Sequence, residues 1–228
     1  MAKFYISSKG SESWKELLAE PDKQWKTGYS ARSLAYCWEE AQGFPKSVTD
    51  VFKSSSFKLF HSVEFILGIP EHKVDLPPKG GRPSQNDLFI LAKSQDELIS
   101  IAVESKVAEP FGPLVSEWVE DASPGKSERL EFLINLLEIN NKDISNIRYQ
   151  LLHRTASALI EAERFCAPHA LMLVHSFSQE HQWFEDYAAF AALYGLKTEP
   201  NAIVYVGEIN GKNLYLGWAT GEAEYLSR

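Results

Sequence analysis

The chain has 228 residues, 44% hydrophobic and 24% charged, which suits one folded domain with a sizeable core and excludes wholesale disorder. A formal net charge of −8 excludes a protein that coats nucleic acid by charge alone, but not an enzyme that meets a phosphodiester through a bound metal and a local basic patch. Cys37 and Cys166 have no CxxC partner and both fall in stretches with helical patterning. Two free buried thiols, and no apolar core of signal-peptide length in "MAKFYISSKGSESW", point to the cytoplasm. No apolar stretch reaches the roughly 20 residues of a membrane span.

In chain order, "SESWKELLAE" predicts a short helix capped by Ser11 or Ser13. "SARSLAYCWEEAQG" predicts a second helix, with Ser30 as cap, Gly43 as stop, and Leu34, Cys37 and Trp38 at helical spacing. "VTDVFKSSSFKLFHSVEFILG" reads as one broken or two short helices that end at Gly68, before Pro70. "DLPPKGGRPSQ" is a turn-rich connection to two β runs, "DLFILAK" and "ISIAVESKV". An irregular stretch with a short helix follows, "EPFGPLVSEWVEDASPGK". "SERLEFLINLLEI" predicts a helix with Leu130, Leu133, Ile134 and Leu137 on one face. "IRYQLLHRTASALIEAERF" predicts a longer helix, "HALMLVHSF" a buried strand, and "HQWFEDYAAFAALYG" a helix closed by Gly195. Asn210-Gly211, between two alternating apolar runs, predicts a terminal β-hairpin. The fold class is therefore mixed α/β, α+β-like.

Three charges in "NDLFILAKSQDELISIAVESKV" sit where a half-buried strand would not keep them. If "SQDE" is a hairpin loop closed by Lys93 and Leu98, Leu91 faces Ser100, Phe89 faces Ala102, Asp87 faces Glu104 and Gln85 faces Lys106. Side chains alternate along a strand, so Asp87, Glu104 and Lys106 emerge on one face, while Leu88, Ile90, Ile101 and Val103 go to the other. Directly opposed carboxylates repel each other, and a divalent cation removes that repulsion because hard cations prefer clustered carboxylate oxygens. A wet strand face carrying an ordinary Glu-x-Lys triplet is the plain alternative.

"ND" before "LFIL", followed by "IAVESK", resembles the signature of the PD-(D/E)XK nuclease superfamily. Asn86 stands where that family often has Pro. The resemblance implies a restriction-endonuclease-like core over residues 57–177, a central mixed β-sheet flanked by helices. Residues 1–56 would be an N-terminal helical extension, and 178–228 a C-terminal helix and β-hairpin, all in one domain. "FKLFHSVEFILG" would be the first core helix, a first strand would lie near "HKVDL", and "SERLEFLINLLEI" would be an insertion.

The same resemblance implies Mg2+ or Mn2+ as cofactor, with Asp87, Glu104 and the carbonyl of Ser105 as ligands. Lys106 would orient the attacking water, and the reaction would be metal-assisted phosphodiester hydrolysis. Many members add an acid from the first core helix. Glu64 is that candidate here, with a solvated surface charge as the equal alternative. Glu109 reads as a loop carboxylate. On the long helix, Gln150, Arg154, Ser157 and Glu161 form a narrow polar stripe with His153 at its edge. That stripe is either the helix's solvent face or the site mouth, where Gln150 positions the site and Arg154 contacts phosphate. Read from its residues alone, "KGGRPSQ" with Lys79 and Arg82 is either a simple turn or a flexible loop from which Arg82 would reach a phosphate backbone. His169, His175 and His181 lack metal-ligand spacing and read as packed or surface residues.

The partner implied is nucleic acid, DNA before RNA, with no membrane and with a homodimer allowed wherever both strands of a duplex are cut. A catalytically silent protein-interaction module on the same scaffold is the competing reading, favoured by the acidity and the missing basic tract.

Overall fold

The computed structural model describes residues 8–121 and 123–228. It is an α+β fold built on a six-stranded mixed sheet in the order β1-β2-β3-β4-β6-β5. The strands are β1 (Val63–Val74), β2 (Ser84–Ser94), β3 (Glu97–Lys106), β4 (His169–Ser176), β5 (Ile203–Ile209) and β6 (Lys212–Thr220). β1, β2 and β3 form an antiparallel meander. β4 lies parallel to both β3 and β6, and β5 returns antiparallel to β6.

Helices cover both faces. α1 (Pro21–Gln24), α2 (Ser30–Ala41) and α3 (Lys46–Ser54) precede the sheet, and α4 (Val115–Val119), α5 (Pro124–Leu136) and α6 (Tyr149–Arg164) join β3 to β4. α7 (Phe184–Ala192) follows β4. On one face Leu34, Trp38, Val51 and Phe52 pack with Leu88, Ile90, Ile101 and Val103. On the other, Leu151, Leu152, Ala158 and Leu159 of α6 pack with Ala102, Ala170, Met172 and Val174. Strands sandwiched in this way become continuously apolar, and every residue of β4 is buried.

The β2–β3 register is the one the alternation predicts: Leu91 opposes Ser100, Phe89 opposes Ala102, and Lys93 opposes Leu98. The loop is tighter than four residues, because Ser94 also pairs with Glu97 and leaves only Gln95 and Asp96 in the turn, with Gln95 at φ 56°. The terminal hairpin turns at Asn210 (φ 48°) and Gly211 (φ 73°), both left-handed as a type I′ turn requires.

Several expectations need correction. "FKLFHSVEFILG" is not a helix: Lys58–Ser62 is a short 3-10 turn, and β1 begins at Val63. Val63, Phe65, Ile66 and Ile69 are branched or aromatic residues suited to a strand, and β2 offers a ladder from Val63↔Ser94 to Val74↔Ser84. The first strand thus starts well before "HKVDL". Ser11–Leu17 is also 3-10 rather than α-helical. Ser30 is the first residue of α2, whose N-cap is Tyr29. Cys37 is buried as expected, but Cys166 is exposed, beyond the end of α6 at φ 53°.

Candidate active site

Three strands and one helix deliver polar side chains to a single cleft of about 650 Å³. Its floor carries Glu71 from β1, Asp87 from β2, and Glu104 and Lys106 from β3. Gln150 and Arg154 of α6 form one wall. Leu18, Lys23, Tyr29 and Ser30, from the chain leading into α2, also line it, and Arg82 lies exposed in the lining.

Glu104 is the centre of the network, at 1% exposure. Lys106 Nζ donates to Oε1, Gln150 Nε2 donates to the same oxygen at 2.6 Å, and Arg154 Nε donates to Oε2. Burial opposes ionisation of this carboxyl, but the charges of Arg154 and Lys106 outweigh it and hold its pKa below the ordinary value. Arg154 is anchored again through Nη1, which donates to Ser84 Oγ at 3.0 Å. Lys106 Nζ also lies 4.9 Å from the centroid of the Phe111 ring.

Asp87 sits one step beyond the last β2–β3 ladder pair, Leu88↔Val103, and accepts the Ser105 backbone N–H at 2.7 Å. Burial, and then the charge of Glu104, push its carboxyl up to about 7. Ser105, the residue between Glu104 and Lys106, is itself buried and lines the cleft.

The polar stripe of α6 turns inward. Besides Gln150 and Arg154, Ser157 Oγ donates to Ser84 Oγ at 2.9 Å, and Glu161 lies 3.3 Å from His72 Nε2 and 2.9 Å from Arg164 Nη1. His153 Nδ1 shares a 2.8 Å hydrogen bond with Ser84 Oγ, and burial drives its pKa well below the ordinary value. The solvent-face reading of the stripe is therefore excluded. Along the same lining, Trp118 of α4 stacks on Tyr149 with ring centroids 3.9 Å apart and planes 11° from parallel.

Glu64 is not brought to the site. It is exposed on β1 opposite Lys93 and lies outside the cleft lining. The acid contributed by the same strand is Glu71, which the sequence reading missed. Glu71 has φ 51°, an uncommon backbone for a non-glycine residue, and the ladder lapses there between Pro70↔Leu88 and His72↔Asn86. Gln85 Nε2 donates to Glu71 Oε2 at 2.7 Å. Burial, followed by the charge of Asp87, raises the Glu71 carboxyl to about 8. Glu109 hydrogen-bonds the backbone N–H groups of Val107 and Ala108 at the cleft margin. His169 and His175 are packed in the core, as expected.

Among the described residues no three His, Cys, Asp or Glu side chains converge closely enough to hold a metal ion as they stand. No helix there is long and apolar enough to cross a membrane. No curated protein matches the chain, and no solved structure does. A family model described as a domain of unknown function, DUF6946, matches residues 7–223, and the chain belongs to that family.

Proposed function

We propose that the protein is a divalent-cation-dependent phosphodiesterase acting on nucleic acid, a nuclease of the PD-(D/E)XK type with a restriction-endonuclease-like core. The observation that carries this reading is the meeting of Asp87, Glu104 and Lys106 at the floor of one cleft, on adjacent antiparallel strands. The order of β1, β2, β3, α6 and β4, with β4 parallel to β3, supports it as well.

The donor chemistry, carboxylates with a backbone carbonyl, suits a hard dication once those side chains are drawn together. Glu71 and Asp87 are neighbouring carboxylates, neither forms an ion pair among the described residues, and both resist ionisation. Such acids gain most from a cation that offsets their mutual repulsion. Asp87, Glu104 and the Ser105 carbonyl would hold Mg2+ or Mn2+, with Glu71 in place of Glu64 as the added acid. When bound, the ion supplies Lewis-acid stabilisation of phosphate charge and eases water ionisation. Lys106 orients the attacking water and faces charge that develops on the phosphate. Asp87 and Glu71 stay ionised beside the cation, and the proton that the water gives up leaves to solvent through the open cleft. Gln150 fixes the orientation of Glu104, and Arg154 and Arg82 contact phosphate oxygens.

One observation favours a second reading, a catalytically silent interaction module: Glu104 is already fully engaged by Lys106, Gln150 and Arg154. Cleavage assays on single- and double-stranded DNA and on RNA, with Mg2+, Mn2+ or EDTA, separate the two. The nuclease reading expects Mg2+- or Mn2+-dependent cleavage that Asp87→Ala and Lys106→Ala both abolish. Cleavage that survives in both folded variants, or absence of cleavage on every substrate, defeats it.

A further inference from the structure

Charge is unevenly shared across the cleft floor. Glu104 has two cationic partners, Lys106 on Oε1 and Arg154 on Oε2, while Asp87 and Glu71 have no ion pair among the described residues. A cation at Glu104 Oε2 meets the guanidinium of Arg154 already seated there, and two like charges on one buried oxygen repel strongly. Arg154 is held firmly in that place. It is 6% exposed, and its Nη1 donates to Ser84 Oγ at 3.0 Å. Ser84 is in turn bonded by Ser157 at 2.9 Å.

Arg154 also lines the cleft, where a phosphate would enter. A guanidinium fork suits phosphate oxygens as well as it suits a carboxylate, so it can exchange one for the other without losing charge-assisted hydrogen bonds. Lys106 is differently placed. It sits two residues along the same strand as Glu104 and shares Oε1 with Gln150, so Oε2 is the oxygen whose release depends on α6 alone.

We propose that Arg154 is the residue that couples substrate to metal: in the free protein it occupies Glu104 Oε2, and it moves to a phosphate oxygen when a phosphodiester enters, leaving Glu104 open to the cation. This rests on the phosphodiesterase reading of the same site. Binding of cation and phosphodiester is then mutually favourable, by the same factor in both directions.

The test is Mn2+ binding followed by electron paramagnetic resonance, on the full chain. Wild type, Arg154→Gln, Arg154→Lys and Asp87→Ala are compared without nucleic acid, and again with a short phosphorothioate-linked single-stranded oligodeoxynucleotide. Wild type binds Mn2+ weakly alone and more tightly with the oligonucleotide, by about 5- to 150-fold, the usual range of such coupling. Arg154→Gln binds Mn2+ tightly alone, with little further gain, and Arg154→Lys falls between. If Arg154→Gln does not fold, Ser84→Ala replaces it. That variant loosens the Nη1 anchor and shifts free Mn2+ affinity in the same direction by less.

Equal or weaker Mn2+ binding by Arg154→Gln, with wild-type binding that still needs Asp87, overturns the coupling role and leaves the phosphodiesterase reading standing. No Asp87-dependent Mn2+ binding in any form, with or without oligonucleotide, overturns both.

Discussion

The backbone N–H of Ser105 donates to Asp87 Oδ2 at 2.7 Å, so a side chain of β2 continues the strand pairing after the backbone ladder stops at Leu88↔Val103. Asp87 is thereby fixed beside Glu104. The cost of this placement is a carboxylate forced toward another carboxylate in a poorly solvated site.

A pH-dependent gain on neutralising Asp87 follows from that cost. Burial and Glu104 raise its carboxyl from 3.8 to about 7, and burial and Asp87 raise Glu71 from 4.5 to about 8. A folded-state pKa above the unfolded value means that the folded state holds more protons, so stability falls as pH rises from about 4 to about 8. Asp87→Asn keeps an oxygen to accept from Ser105 and removes the charge. Its melting temperature should exceed that of wild type at pH 8, and the advantage should vanish near pH 4. Thermal unfolding of both proteins at the two pH values checks this. An advantage of equal size at both would place its origin elsewhere than charge.

Glu104 should behave in the opposite way. Glu104→Gln strips from the buried Arg154 and from Lys106 the only ion-pair partner each has among the described residues. Removing one member of a buried ion pair typically costs about 3–5 kcal/mol. Urea unfolding at pH 7 should show a loss of that order, in contrast to a neutral or stabilising Asp87→Asn. Equal effects of the two substitutions would show that the network does not partition as the hydrogen bonds indicate.

The site was legible in the sequence where a short hairpin fixed the register. With "SQDE" as the only gap, alternation placed Asp87, Glu104 and Lys106 on one face, and the strand pairing has that register. Glu71 was not legible. Nine residues, three of them proline and two glycine, separate β1 from β2, so no loop rule linked "IPEHKV" to Asp87. Pro70 was a usable signal, since proline within a strand marks an edge or an irregularity, and β1 lies at one edge of the sheet. The apolar run around Glu64 satisfies helix and strand templates alike, and only the ladder with β2 decides between them. The inward turn of the α6 stripe was hidden for a different reason. A polar stripe on a mostly apolar helix reads as solvent-facing unless its buried partners, here Glu104 and Ser84, are known.

Acid should weaken the fold through the opposite sheet face. Trp38 Nε1 lies 3.1 Å from His175 Nδ1, and indole N–H only donates, so Nδ1 must accept. Nε2 then carries the proton and donates to Ser47 Oγ at 3.1 Å, and Ser47 Oγ donates to Glu222 Oε2 at 3.1 Å. Burial lowers the His175 pKa from 6.5 to about 3. A folded-state pKa below the unfolded value gives stability that is complete above about pH 6.5 and is lost as pH falls toward 3. Wild type should therefore lose stability over that window more steeply than His175→Gln, which has no proton to take up. Parallel melting curves from pH 7 to pH 4 test the slope, and identical slopes would remove His175 from the account.

The two acids of β1 give the sharpest contrast for the proposed chemistry. Glu64 is exposed opposite Lys93, whereas Glu71 is turned into the cleft by a left-handed backbone and held by Gln85. A strand does not adopt that backbone at a glutamate without opposing cost, about 1–3 kcal/mol for a sparsely populated region. Glu71→Gln keeps the length and the hydrogen-bonding capacity of the side chain but withdraws a charge from beside Asp87. Mn2+ affinity should fall by about 10- to 100-fold, the usual effect of removing a group that supports metal ligands. Glu64→Gln should leave it unchanged. Calorimetric titration of Mn2+ into both variants, alongside wild type, reads the difference directly. A loss on Glu64→Gln with none on Glu71→Gln would return the added acid to the position that the sequence alone suggested.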